Sequence, residues 1–330
     1  MNAVAIDPAH IAAEIKQFAR KQGFDLVGIT SAEPSHYRDY LRQWLDDGQA
    51  GQMEFLAERF DERTDPAKFL PGAKSVICVA MTYYTPLLPE PEQGVAGRVA
   101  RYALADDYHE LIKDRLHDLA DWIRATYPGA HTRTGVDTAP LMEKELAARA
   151  GVGFFGKNSC IINERAGSWL LLGEVVTSLE LPVDAPAVDR CGTCRRCIDA
   201  CPTGAITGPY QLNATKCISY LTIEHREGDI APELQTQVGD WLYGCDICQT
   251  VCPWNHAPLS TLEPALQPRF PTGTLNTETV LDWNIYDYRD AFRHSAMKRI
   301  KLPQLQRNAI TVLKNQKKVE RGDAETQKRK

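Results

Sequence analysis

Hydrophobic and polar positions along the chain follow two periods. Between Pro8 and Gln22, Ile11, Ile15, Phe18 and Ala19 recur at helical spacing. Asp7 is placed to cap that helix, Pro8 suits its first turn, and Gly23 ends it. Asp25 to Thr30 reads as a short strand, His36 to Asp46 as a helix stopped by Gly48, and Met53 to Arg59 as a further short helix. Lys74 to Met81 (K-S-V-I-C-V-A-M) is a continuous, β-branched apolar run, the mark of a buried strand. Tyr84 to Gly97 is rich in Pro and Gly and reads as a loop. The longest amphipathic helix spans Asp106 to Thr126, with Tyr108, Ile112, Leu116, Leu119 and Ile123 on one face. Strands are expected at Val99–Ala103, His131–Thr134, Cys160–Asn163 and Trp169–Ser178. A helix is expected at Leu141–Ala150, followed by a glycine-rich loop at Gly151–Asn158. Near the end, Tyr286–Ala296 and Leu302–Leu313 pattern as one antiparallel helical pair. Strands interleaved with helices indicate an α/β or α+β layer fold.

Ten cysteines change this picture. Cys191, Cys194, Cys197 and Cys201, followed by Pro202, form the run C-x2-C-x2-C-x3-C-P. Cys217 stands alone, and Cys245, Cys248 and Cys252 precede Pro253. The run is the bacterial ferredoxin ligand pattern, in which the cysteine before the proline crosses to the other cluster. It predicts one [4Fe–4S] cluster on Cys191, Cys194, Cys197 and Cys252, and a second on Cys201, Cys217, Cys245 and Cys248. Zinc also takes paired C-x-x-C, but four ligands suffice for it and the doubled C-x3-C-P ending adds nothing. Disulfides need an oxidising compartment, which nothing here indicates. Two neighbouring clusters imply one-electron chemistry with a terminus elsewhere in the chain.

Composition is that of an ordinary globular protein, with 43% hydrophobic and 25% charged residues among 330, and the length suggests two or three domains. The first residues carry neither a basic nor an apolar signal-peptide region. No apolar run reaches membrane-spanning length; Trp169–Leu172 is broken at once by Gly173 and Glu174. A cytoplasmic, monomeric protein without membrane contact is the expectation. The net charge of −5 conceals an asymmetry. Residues 293–330 hold 12 Lys+Arg against 3 Asp+Glu, and the rest of the chain holds 26 against 40. A basic end on an acidic body suits a polyanionic partner; the plainer reading is a solvated, partly disordered tail after Lys314.

Candidate chemistry outside the cysteines is sparse. G-V-D-T-A-P (Gly135–Pro140) puts Asp137 between a strand and a helix, either as a catalytic carboxyl or as a helix cap. In a closed redox pocket, desolvation would bias that carboxyl toward its neutral, proton-donating form. Gly151–Asn158 lets backbone N–H groups approach a large ligand but matches neither a P-loop nor a dinucleotide fingerprint. Arg63 in R-T-D-P is a ligand contact or a turn residue. Cys78 and Cys160 read as buried and inert. Asp107-Tyr108-His109 is similar to a D-x-H-x-x-G cobalt-ligating pattern, but Ile112 replaces its glycine and the stretch lies in a helix. His109 is therefore not expected to bind metal.

Taken together, R-T-D-P with P-G-A-K-S-V-I (Arg63–Ile77), D-Y-H (Asp107–His109), G-V-D-T-A-P-L-M-E-K (Gly135–Lys144), G-V-G-F-F-G-K-N-S (Gly151–Ser159) and Y-G-C-D-I-C-Q-T-V-C-P-W-N (Tyr243–Asn255) resemble the epoxyqueuosine reductases. The resemblance spans nearly the whole chain. It implies an α+β protein in three parts: an N-terminal α/β cobalamin-binding domain like that of reductive dehalogenases (1–182), a ferredoxin-like module with two [4Fe–4S] clusters (183–258), and a C-terminal helical segment with a basic tail (259–330). It implies reduction of epoxyqueuosine at the wobble position of tRNA, base-off cobalamin at the end of the electron wire, an external electron donor, and Asp137 as proton donor. Arg63, Asp137, Met142, Gly153, Phe155, Gly156, Lys157, Asn158, Ser219, Tyr220 and Leu221 are then expected to line the cobalamin. Ala100 stands where relatives often carry cysteine, so a thiol there is not essential. Longer relatives continue into helical repeats, so the tRNA grip here is expected to rest on the basic end. A dehalogenase-like reductase of small molecules, or a non-catalytic electron or cobalamin carrier, are the competing readings. A carrier would need no proton donor.

Overall fold

A computed structural model describes residues 7–89 and 95–327, with side chains through residue 318. The chain opens with α1 (Pro8–Lys21), β1 (Leu26–Ser31), α2 (Arg38–Asp46), α3 (Phe60–Thr64) and α4 (Pro66–Phe69). The stretch β2 (Ser75–Thr82), β3 (Ala96–Val99), α5 (Tyr108–Thr126), β4 (Thr132–Gly135) and α6 (Glu143–Arg149) follows. Next come β5 (Phe154–Phe155), β6 (Ile161–Ile162) and β7 (Leu170–Thr177). The cysteine-rich stretch carries α7 (Arg196–Asp199), β8 (Ile206–Gly208), β9 (Gln211–Leu212), α8 (Ile218–Ile223), α9 (Pro232–Gln235), β10 (Trp241–Tyr243) and α10 (Ile247–Thr250). The chain closes with β11 (Thr274–Asn276), α11 (Thr277–Asp282), α12 (Ile285–Ala291) and α13 (Leu302–Gln327).

Local chemistry explains the first helix as read. The Asp7 carboxylate accepts from the Ala9 N–H at 3.0 Å, Pro8 is the first helical residue, and Gly23 takes φ 89°. The main sheet is antiparallel, in the order β1-β2-β7-β4. Every residue of β2 is buried, because helices cover both faces. On one face Ile77, Val79, Leu171 and Val175 meet α1 and α5 through Ile15, Ile112, Leu116 and Leu119. On the other, Val76, Cys78, Ala80, Leu172 and Val176 meet α6 through Leu146, Ala147 and Ala150. Each large aliphatic side chain so buried contributes about 1.5–3 kcal/mol. In this second face one position breaks the pattern. Glu174 lies between Leu172 and Val176 on β7 and is 1% exposed.

A second sheet, in the order β10-β3-β11, draws one strand from before α5, one from the cysteine-rich stretch and one from beyond it. The three parts of the chain are thus interleaved there. The strand expected at Val99–Ala103 ends at Val99: the Asp246 carboxylate accepts from the Arg101 N–H at 2.8 Å and turns the backbone into a 3-10 turn. The helical pair expected near the end is also revised. A 3-10 turn at Ala296–Arg299 redirects the chain, and α13 packs mainly on α11 rather than α12. Nor does the helix stop near Leu313; it runs to Gln327 through residues of good helix propensity. Amides fix it: Asn308 donates to the carbonyls of Thr222 and Leu242 at 2.8 and 3.0 Å, and Asn315 to those of Gln235 and Gly239 at 2.8 and 2.9 Å. The basic side chains beyond residue 318, part of the expected polyanion contact, lie outside the described residues, as does the centre of the Tyr84–Gly97 loop.

Candidate active site

Where β4 ends at Gly135, the backbone turns sharply and Asp137 adopts φ 43°. This left-handed conformation is unusual for a residue with a β-carbon and is the kind of strain that surrounding structure must hold in place. Asp137 caps no helix. Helix α6 starts only at Glu143, with Met142 as its uncapped N-terminal neighbour. The Asp137 carboxylate reaches 2.9 Å across to His109 Nε2, and His109 Nδ1 lies 2.7 Å from Asp107 Oδ1. Asp107 also caps α5 by accepting from the His109 N–H at 3.0 Å. The Tyr108 ring stacks on the imidazole with centroids 4.0 Å apart. With a carboxylate on each nitrogen, both ring nitrogens donate and the ring is an imidazolium. Desolvation opposes that charge, but the bonds to Asp107 and Asp137 outweigh it and raise His109 to about 9.

In this arrangement the Asp137 carboxyl is held toward its charged form. Desolvation does push its carboxyl up, yet the His109 bond and charge, with Lys144 and Arg299 nearby, hold it below the usual carboxylate range. The Asp137 side chain is 48% exposed. The neutral acids lie behind it. Desolvation and then the Asp137 charge raise Glu143 to about 7. Glu174 is pushed well above the usual range by burial, with Glu143 and Asp137 adding to it, and its Oε1 has no hydrogen-bond partner. Neither was singled out from sequence. One signal was available for Glu174, a charged residue on the inward register of an otherwise apolar strand. None was available for Glu143, in a helix start that reads as ordinary.

The cysteines gather in two groups. Cys252 is pushed up by burial and by the nearby sulfurs of Cys191, Cys197 and Cys194. Cys245 is pushed up by burial, with Cys217 and Cys201 among its neighbours, and Cys217 likewise has Cys201 beside it. Cys248 is pushed up by its hydrogen bond with Cys160, by burial, and by Cys245 and Cys217. Cys252 thus neighbours Cys191, Cys194 and Cys197, while Cys217 and Cys245 neighbour Cys201 and Cys248 neighbours Cys217 and Cys245. A mononuclear zinc would use four ligands, half of the eight sulfurs gathered here. Eight soft thiolates in two open sets fit two cubane clusters. Cys78 is buried and pushed well up, as an inert core thiol should be. Cys160 sits beside Cys248. A turn closed by the Gly156 N–H on the Cys160 carbonyl, with Ser159 at φ 63°, swings it to Cys248, whose hydrogen bond and the Lys144 charge draw it down.

The residues expected around a cobalamin have divergent surroundings. Lys157 donates to the carbonyls of Gly192 and Cys194, the latter at 3.0 Å, and its N–H lies 3.5 Å from Cys191 Sγ. Asn158 donates to the Cys248 carbonyl at 3.4 Å. These two side chains hold the cysteine loops. A β-carbon on Gly153 would collide with Ile161 and Ile162, and one on Gly156 with Ile162 and Asn158, so close packing of the β5–β6 hairpin requires both glycines. Phe155 stacks with Tyr37. Ala100, Tyr220 and Leu221 belong to one packed core, with the Tyr220 hydroxyl accepting from the Gln52 N–H at 2.8 Å, and Ser219 is half-buried beside them. Arg63 and Met142 line one crevice with Glu145 and Arg149. The Arg63 Nε is buried without a partner, and Glu143 lies within electrostatic reach. The Arg63 Nη2 donates to the Phe55 carbonyl at 3.2 Å, so beside Met142 its buried Nε is the polar atom left to offer a ligand.

A family model described as epoxyqueuosine reductase QueG, DUF1730, matches residues 63–138, and one described as a 4Fe-4S double cluster binding domain matches residues 190–255. The epoxyqueuosine reductase of Xanthomonas campestris pv. campestris is 40% identical over 297 residues, covering 89% of this chain and 83% of that protein. That of Escherichia coli strain K12 is 39% identical over 316 residues, covering 94% and 82%. Among solved structures, an epoxyqueuosine reductase with a tRNA-Tyr epoxyqueuosine-modified stem loop aligns with TM-score 0.86 at 33% identity, over 93% of this chain and 81% of that one. The Bacillus subtilis enzyme, solved with an aspartate catalytic loop swung out of the active site, aligns with TM-score 0.86 at 31% identity, over 93% and 82%. The chain belongs to the epoxyqueuosine reductase family.

Proposed function

We propose that this protein reduces epoxyqueuosine at the wobble position of tRNA to queuosine, the last step in making that base. One observation carries the reading: the second sulfur set and the acid cleft meet. The Arg101 N–H donates at 2.8 Å to Asp246, which lies between Cys245 and Cys248, and the adjoining Tyr102 ring packs 6.1 Å from Tyr108, which stacks on His109, the partner of Asp137. An electron path and a proton source therefore end in one place. Cys191, Cys194, Cys197 and Cys252 would hold one [4Fe–4S] cluster, and Cys201, Cys217, Cys245 and Cys248 the other. Arg63 and Met142 would hold cobalamin beside Asp137. When bound, these groups supply two electrons from an external low-potential donor.

The chain's own residues handle the protons. Opening an epoxide to an alkene breaks both C–O bonds, forms a C=C bond, consumes two protons and releases water. A departing alkoxide or hydroxide is a poor leaving group, so an acid must reach the oxygen. Asp137, strained outward into the cleft, is the group that touches it. The imidazolium of His109 refills Asp137 across their 2.9 Å hydrogen bond, and Asp107 holds the ring in orientation, as second carboxylates do in other acid–base pairs. A non-catalytic carrier would have no use for this relay.

The test is anaerobic. The protein is reconstituted with iron, sulfide and cobalamin, reduced, and given tRNA containing epoxyqueuosine; the digested nucleosides are weighed by mass spectrometry. Cobalamin-dependent loss of one oxygen from the modified base is the expected result. No mass change with both cofactors present and reducible would overturn the reading.

A further inference from the structure

The reaction consumes two protons, and the Asp137–His109 pair has one to give. Once substrate lies against the half-exposed Asp137, bulk water is a poor second source. A reserve close behind Asp137 would serve, and the β4–β7 register puts one there. Gly135, two residues before Asp137, pairs with Glu174 across the ladder, and a β-carbon on Gly135 would stand 3.6 Å from Glu174 Oε2. Glu174 is 1% exposed, sits in the apolar face under α6, and leaves its Oε1 unbonded. Glu143, at the start of α6, accepts from the Asp137 backbone N–H and lies within electrostatic reach of Glu174. A buried acid without partners costs stability. No structural hydrogen bond of Oε1 offsets that cost, whereas a stored proton would justify it.

Resting on the function proposed above, we infer that Glu174 and Glu143 form a proton reserve that resupplies Asp137 within a turnover, Glu174 being a positioning residue and proton store that does not touch substrate. The step balances. One proton passes from the Glu174 carboxyl to Glu143, and one from Glu143 to Asp137, leaving one negative charge on Glu174. The two electrons consumed come from the external donor, and the oxygen leaves as water. After product departs, the more accessible Glu143 returns the proton to Glu174. The groups facing Glu174 are Glu143 from α6, Asp137 from the turn after β4, and the Cys78 thiol from β2; Arg149 acts on Cys78. Lys144 and His109 act on Glu143 from the outer side. This environment pushes both carboxyls toward their neutral forms, Glu174 well above the usual range and Glu143 to about 7.

Glu174→Gln, which preserves shape, tests the reserve. The expected result is a fall in kcat of about tenfold or more, within the range of a lost proton-transfer group, with KM for the tRNA unchanged. The fall should deepen as pH rises and be accompanied by a larger solvent isotope effect. A separate readout is infrared difference spectroscopy. The wild-type protein should show a protonated-carboxyl band at neutral pH, and Glu174→Gln should lose the component that persists above pH 8, where Glu143 is ionised. Unchanged kcat and pH profile in Glu174→Gln would overturn the proposal, as would absence of that band in the wild type. If Glu174→Gln does not fold, Glu143→Gln is judged by the same kinetic criteria. If the wild type fails to reduce the tRNA at all, the function reading fails, while the infrared band still decides whether Glu174 stores a proton.

Discussion

The two halves of the chemistry are built in opposite ways. The sulfur sets come from one compact stretch, Cys191 to Cys252, and their ligand spacing is written in consecutive residues. The acid cleft is assembled from five segments, contributing Asp107 with His109, Asp137, Glu143, Glu174 and Arg299, and no two of its segments announce each other. Soft thiolates around a cluster tolerate variation in the loops between them, because the cluster itself imposes the geometry. A proton relay has no such template. Each of its members must be placed by backbone, which is why Asp137 needs a left-handed φ and Glu174 a defined β register.

That contrast can be broken from the sulfur side first. Cys252→Ser and Cys217→Ser should each remove one cluster of the pair, leaving about half the iron and sulfide of the wild type. Retention of full iron with an unchanged spectrum in either variant would show that the crossed assignment is wrong. A smaller effect is expected on the acid side. His109 carries a folded value of about 9 against an ordinary 6.5, so its stabilisation is complete below the ordinary value and is lost as pH rises through about 9. Glu143 and Glu174 act in the same direction, because a buried carboxyl whose folded value is raised also favours the fold less as pH climbs. The melting midpoint should therefore decline from pH 6.5 toward 9, and His109→Asn should flatten the upper part of that decline; a midpoint rising over this range would contradict the relay's charge state. The smallest effect lies outside both regions. Asp7→Ala, removing the cap of α1, should cost about 1 kcal/mol in a denaturant melt without altering iron content or turnover.

Legibility followed the same division. The core faces of β2 and α5 were readable, because hydrophobic periodicity is local. Asp137 was readable only as a residue of the right type at a promising turn. Its partner His109 was weighed as a metal ligand and set aside, since nothing in D-Y-H reveals that a carboxylate 28 residues onward returns to it. Gly153, Gly156, Lys157 and Asn158 were expected at the cobalamin, yet the two glycines are explained by hairpin packing and the two polar side chains by the cysteine loops. Packing and loop contacts of this kind leave room for a ligand on the other side of the same residues. The long α13 was underestimated because its anchoring amides, Asn308 and Asn315, read as helix-neutral until the carbonyls they satisfy are known.

The central claim is that electrons from the sulfur sets and a proton from Asp137 meet at one substrate. Asp137→Asn, reconstituted with iron, sulfide and cobalamin and given a single turnover's worth of modified tRNA, addresses it most directly. The account predicts wild-type iron and cobalamin content with product formation reduced by at least about a hundredfold. Product formation at the wild-type rate in that variant would contradict it.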